Sequence, residues 1–150
     1  MKWLIPVLLL AIAPASAGDD CTISTPVIDT VFASDCAELT INADTFTLLP
    51  DATIILRAGA PGLDADGVHA TATHGENGAS LTIKARHVEI HGTIKLGNGG
   101  HGGNATAHGP DAVATAGNGG NAGTFTCTCS YDPARIQGGA GGDGGDAYAQ

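Results

Sequence analysis

The chain has 150 residues, among them 23 Gly but only 3 Phe, 2 Tyr and 1 Trp, and its 15 acidic against 6 basic residues give a formal net charge of −9. That length fits one small domain. The acidity excludes nucleic acid as a partner, because such binding runs on Lys and Arg contacts to phosphate, and it excludes a polybasic membrane-surface patch for the same reason. The scarcity of rings excludes a thick aromatic core.

Taken in chain order, Lys2 is a positive n-region, Leu4–Ala13 a short apolar h-region and Ala15-Ser16-Ala17 a small-x-small cleavage site. Together they predict a secretory signal peptide over 1–17. The apolar run is shorter than the ~20 residues of a spanning helix, and no later run is long enough either. The expectation is a secreted chain (extracellular, cell surface or periplasm) with no membrane span after cleavage.

Four cysteines follow, Cys21, Cys36, Cys127 and Cys129. An even count in an exported chain reads as disulfides, and three connectivities are open. Cys21 with Cys36 is the most local pair and would staple an N-terminal cap over 18–38. Cys127 and Cys129 would then pair within Cys-x-Cys. In a flat strand that motif places its Cα atoms near the ~7 Å limit for a bridge, so a connection between the two pairs stays open.

From residue 39 onward the sequence repeats with a period of 42: Leu39-Thr40-Ile41 answers Leu81-Thr82-Ile83. The same spacing carries Thr82 onto Thr124. Thr53-Ile54-Ile55-Leu56 answers Thr93-Ile94-Lys95-Leu96, and Ile136 leads the third copy into its glycines. Val68 to Ala72 answers Val113 to Ala116. The copies are 39–80, 81–122 and a partial 123–150. Within a copy the apolar period is two: Leu81, Ile83 and Ala85 share one face, and after a phase shift Val88, Ile90, Ile94 and Leu96 continue it. His87, Glu89 and His91 take the other face. This is the pattern of a half-buried strand. The fold class is therefore all-β with little or no helix. Its architecture is a short parallel β-solenoid in which stacked repeats bury a thin aliphatic core.

The glycines have a period of three, as in Gly138-Gly139-Ala140-Gly141-Gly142-Asp143-Gly144-Gly145-Asp146 and Gly99-Gly100-His101-Gly102-Gly103-Asn104. Triplets suit extended, polyglycine-II-like helices with three residues per turn. The competing reading is a flexible Gly-rich linker. The strand-plus-triplet pattern over about Leu39 to Ala149 resembles Gly-rich parallel β-helix segments of bacterial secreted and surface proteins. The triplets of Gly99 to Asn104 are also similar to those of disulfide-stapled antifreeze proteins built from polyglycine-II helices.

Two metal sites are candidates. Gly141 to Ala149 fits the calcium-binding nonapeptide of RTX β-rolls, and that resemblance implies a calcium carboxylate at Asp143 or Asp146. A triplet run also generates such a match by itself. His87-x-Glu89-x-His91 sets two imidazoles and a carboxylate on one strand face, a zinc-compatible set. Its plainer reading is the solvated face every half-buried strand needs. Thr40, Thr82 and Thr124 at equivalent positions suggest an ordered Thr array, against the ordinary strand preference of Thr. Asn104-Ala105-Thr106 is a glycosylation sequon.

Nothing in the chain pairs a nucleophile with a base, and there is no G-x-S-x-G or H-E-x-x-H motif, so no enzyme activity and no cofactor is expected. The expected function is structural or adhesive, through self-association or contact with an extracellular surface or glycan. The alternative is a binding module for ice or calcium.

Overall fold

The computed structural model describes residues 19–131 and 135–150, with backbone alone at 129–131, 135 and 136. The predicted signal peptide lies outside the described residues. Fifteen strands and no helix occur among them. Three open the chain: β1 (Cys21–Ile23), β2 (Val27–Ile28) and β3 (Val31–Ser34). Next come β4 (Glu38–Asn42), β5 (Thr45–Leu48), β6 (Thr53–Leu56), β7 (Ala65–Gly67) and β8 (His69–Thr71). Then follow β9 (Ser80–Ile90), β10 (Thr93–Lys95), β11 (Ala105–Ala107) and β12 (Val113–Thr115). The last are β13 (Phe125–Tyr131), β14 (Arg135–Gln137) and β15 (Ala147–Ala149).

Each strand pairs in parallel with its counterpart in the next pass of the chain. The largest sheet has six strands, in the order β1-β4-β9-β5-β2 with β13 on the free side of β9. The other sheets run β14-β10-β6-β3, β15-β11-β7 and β12-β8. The register follows the repeat where the apolar residues are strongest: Leu39 faces Leu81, Thr40 faces Thr82 and Ile41 faces Ile83. Thr53 likewise faces Thr93, Ile54 faces Ile94, and Ile94 faces Ile136.

Two registers differ from the sequence expectation. Thr82 faces Thr126 rather than Thr124, with Leu81 opposite Phe125 and Ile83 opposite Cys127. A slip of two residues preserves which face each side chain takes, so the periodicity alone cannot detect it. His69 faces Val113 and Ala70 faces Ala114, one residue away from the Val68–Val113 alignment. A one-residue slip does exchange the faces, and both valines are in fact exposed.

The alternation builds a narrow core. Leu39, Ile41, Phe46, Leu48, Ile54, Leu81, Ile83 and Ile94 are all at most 1% exposed. Each such side chain contributes roughly 1.5–3 kcal/mol of burial. Phe46 is the only large ring among them, so aliphatic residues supply the interior that the composition denied to aromatics. The expected phase shift falls at Arg86 and His87, whose amides both donate to the Asp44 carbonyl. This bend returns Val88 and Ile90 to the core. A second, smaller core of Ala70, Ala72, Ala105 and Ala107 lies under β7, β8, β11 and β12. Cys21 and Cys36 are joined across the N-terminal strands. Cys127 is also disulfide-bonded; the side chain of Cys129 lies outside the described residues.

Five extended glycine segments, near 57–65, 73–79, 97–105, 117–123 and 138–146, form an ordered body, not a flexible linker. Segments one, three and five run parallel: Gly59 donates to the Asn98 carbonyl at 2.7 Å and Gly99 to that of Ala140 at 2.8 Å. Segments two and four do the same, Gly75 donating to Asn118. Between these two layers the segments are antiparallel, with Gly100 bonded to Glu76, Gly120 to Gly100 and Gly142 to Gly120. The bonds recur at every third residue, which is why the sequence carries triplets. A Cβ on Gly100 would stand 2.0 Å from the Ala60 carbonyl oxygen, so no other residue fits there.

Candidate functional site

Three features of the surface carry the sequence-predicted residues. The first is the outer face of β9 and the turn after it. His87, Glu89 and His91 are all exposed on it. His87 Nε2 lies 3.0 Å from one Glu89 oxygen and His91 Nε2 3.7 Å from the other. The hydrogen bond with His87 holds the Glu89 carboxyl below the usual carboxylate value, partly opposed by desolvation. Both carboxylate oxygens thus face imidazoles along the strand instead of converging with them on one point. Among the described residues no group of three or more His, Cys, Asp and Glu side chains is placed to hold a metal ion.

The second feature is the fifth glycine segment with Asp143 and Asp146. Asp143 sits beside His101, its carboxylate 3.8 Å from the ring Nδ1. Asp146 lines a shallow groove with Asp64, Asp66, Asn104 and Tyr148. The Asp146 amide donates to the Asn104 side chain at 2.8 Å. The structure therefore separates the two aspartates, each beside a different residue of the third segment.

Among the described residues, strands β12, β14 and β15 stand at one edge of their sheets as β8, β3 and β7 stand at the other, and the fifth glycine segment stands last in its layer. The opposite end of the glycine body is finished differently. There the Glu76 carboxylate accepts the Ala60 amide at 3.3 Å and a bond from Arg57 at 3.0 Å. Thr73 Oγ1 accepts the Leu63 amide at 2.6 Å. Those amides correspond to Gly100 and Gly103 of the third segment, which donate to backbone carbonyls. Sequence reasoning missed this cap. Its signal was present: Arg57, Ala60 and Leu63 stand where the next pass has Gly97, Gly100 and Gly103.

The third feature is a rank of threonines. Thr22, Thr40, Thr82 and Thr126 are successive register partners across β1, β4, β9 and β13. Thr124 belongs to the next rank, where its amide and hydroxyl both meet the Ser80 hydroxyl. The Thr82 hydroxyl donates to Glu38 at 2.8 Å. Compared with protein-family models, curated proteins and solved structures, the chain gives no match.

Proposed function

We propose that this is an exported, non-catalytic β-solenoid with polyglycine-II-like segments, acting as a structural or adhesive element through self-association at the cell exterior. The observation that carries the reading is the contrast between the two ends. At the first end of the glycine body the Thr73 and Glu76 side chains, the latter held by Arg57, accept the Leu63 and Ala60 amides, while at the last the Gly141 and Gly144 amides have no backbone partner among the described residues. An open row of such groups is a template for another chain. The Cys21–Cys36 disulfide is consistent with an oxidising compartment. Light scattering after size exclusion on the oxidised chain, with negative-stain images of the same fractions, tests it. Association that grows with concentration supports the reading, and a monomer at every concentration refutes it.

A second reading, an ice-binding surface, draws support from the rank of four threonines. Against it, the flanking positions carry Glu38, Asn42 and Lys84, which break the flat array. Ice-recrystallisation activity lost on replacing Thr40 and Thr82 by Val would favour this reading over the first.

A further inference from the structure

We infer that Asn118 is a self-modification site, its side-chain amide closing onto the Gly119 nitrogen to leave aspartate or isoaspartate, while the fold shields the two other Asn-Gly steps. The inference stands apart from self-association. Asn77-Gly78, Asn98-Gly99 and Asn118-Gly119 are the Asn-Gly pairs of the chain. All three asparagines are exposed, so exposure does not rank them. Glycine after asparagine favours the reaction, because no Cβ hinders the approach of its nitrogen. What ranks the three is which of the reacting groups is already bonded.

The Gly119 nitrogen attacks the Asn118 side-chain carbon. The new C–N bond closes a succinimide ring, the old one breaks, and the side-chain nitrogen leaves as ammonia, taking the proton of the attacking amide. Water then opens the ring at either carbonyl. At Asn77 both groups are engaged: its Oδ1 accepts the Asn121 amide at 2.8 Å, and the Gly78 amide donates to the Asn121 carbonyl at 2.8 Å. At Asn98 the Oδ1 accepts the Ala140 amide at 2.9 Å and the Gly99 amide donates to the Ala140 carbonyl at 2.8 Å. The Asn98 carbonyl also accepts from Gly59.

Asn118 and Gly119 take the places of His74 and Gly75 one pass later, in the last segment of the second layer. Neither the Asn118 side chain nor the Gly119 amide has a hydrogen-bond partner among the described residues. Ring closure there has to turn one bonded group, the Asn118 carbonyl that accepts from Gly75. Asn121, the other unclipped asparagine of this segment, is followed by Ala122, whose Cβ hinders the same attack. Conversion at Asn118 adds a negative charge, and isoaspartate lengthens the backbone before Gly119 and Gly120. Gly120 joins the two layers, donating to Gly100 and accepting from Gly142, so conversion loosens the hold on the fifth segment.

Ageing the dilute, oxidised chain in mildly alkaline buffer, folded and in unfolding urea, tests this. Peptide mapping with electron-based fragmentation locates each conversion and separates aspartate from isoaspartate. In the folded chain Asn118 should convert fastest. Asn77, with one more bond to break, should be about fivefold slower, and Asn98, with two more, about thirtyfold slower, at the usual net worth of a hydrogen bond. In urea the three rates should converge. Asn118→Gln should remove the early mass gain of the folded chain, since ring closure through the longer side chain is slow. Equal rates at the three sites of the folded chain overturn the inference. A folded chain that keeps Asn118 intact while urea converts it overturns it too. So does the same lead for Asn118 in urea, because neighbouring sequence and not bonding would then set the order.

Discussion

The side-chain oxygen of Asn77 accepts the backbone amide of Asn121 at 2.8 Å, across 44 residues of sequence. The relationship recurs along the glycine body. His74 accepts from Asn118, Asn98 from Ala140, His101 from Asp143 and Asn104 from Asp146. The third residue of each triplet is thus a rung: two glycines allow close approach, and the variable residue clips one pass to the next. Asp64 accepts from Asn104 and Ser80 from Thr124 in the same way, and what Asn, His, Asp and Ser share at these positions is a short side chain with an acceptor atom.

A rung is an exposed neutral hydrogen bond, so removing one should cost about 0.5–1.5 kcal/mol. Asn77→Ala should lower the unfolding free energy measured in urea by that much. Asn77→Asp, which retains the acceptor, should lose less. Equal loss in both variants would mean that the 77–121 contact contributes through packing and not through the bond.

Glycine substitutions should divide by position, not by exposure alone. Gly100→Ala forces a Cβ against the Ala60 carbonyl and should destabilise the fold by about 1–3 kcal/mol or more, the usual cost of overpacking. Gly141→Ala, with open space before it, should leave thermal unfolding of the monomer unchanged. If both alanine variants melt alike, the segments are not packed as described.

Much of the strand architecture was legible in the sequence, because burial imposes a period of two on Leu81 to Ile90 and the repeat copies it onto Leu39 to Leu48. The third pass was placed two residues early, since that slip leaves every face unchanged. The β8–β12 alignment slipped by one because His69 to Thr71 and Val113 to Thr115 offer no large buried residue to fix it. The chemistry of His87, Glu89 and His91 was legible only as a shared face. Whether they converge depends on side-chain geometry, and Glu89 turns one oxygen to each imidazole. The caps at Arg57, Thr73 and Glu76 were hidden for another reason. They join residues 10 to 19 apart, and only comparison with the glycines of the next pass exposes them.

The Cys21–Cys36 bridge closes a sequence separation of 15 residues around the strands that cover the first turn of the core. In the chain-entropy model a loop of that size is worth about 3 kcal/mol. The double variant Cys21→Ser/Cys36→Ser should therefore lose about 2–4 kcal/mol against urea. Amide exchange should rise first at Thr40 and Asn42, whose amides face β1, since those of Leu39 and Ile41 face β9 in the same ladder as the Ser80–Ala37 and Ala43–Lys84 bonds. Unchanged exchange at Thr40 and Asn42 would show that β1 stays docked without the bridge.

The Arg57–Glu76 cap gives the fold an acid-sensitive edge. Glu76 sits below its ordinary value of 4.5, first through the hydrogen bond from Arg57, then through the Ala60 amide and the guanidinium charge. A carboxyl lowered in the folded state stabilises the fold above its unfolded value, and that contribution is lost as the pH falls through the lowered folded value. Glu76→Gln keeps the shape and an acceptor oxygen but removes the titration. The melting temperature of the parent should exceed that of the variant near neutral pH, with the gap closing below pH 4.5. Glu89, lowered chiefly by its bond with His87, contributes in the same direction and is untouched by the substitution. The variant should therefore keep part of the acid slope. Two parallel melting curves down to about pH 3, where paired carboxylates become protonated, would show that the Glu76 charge has no part in holding this edge.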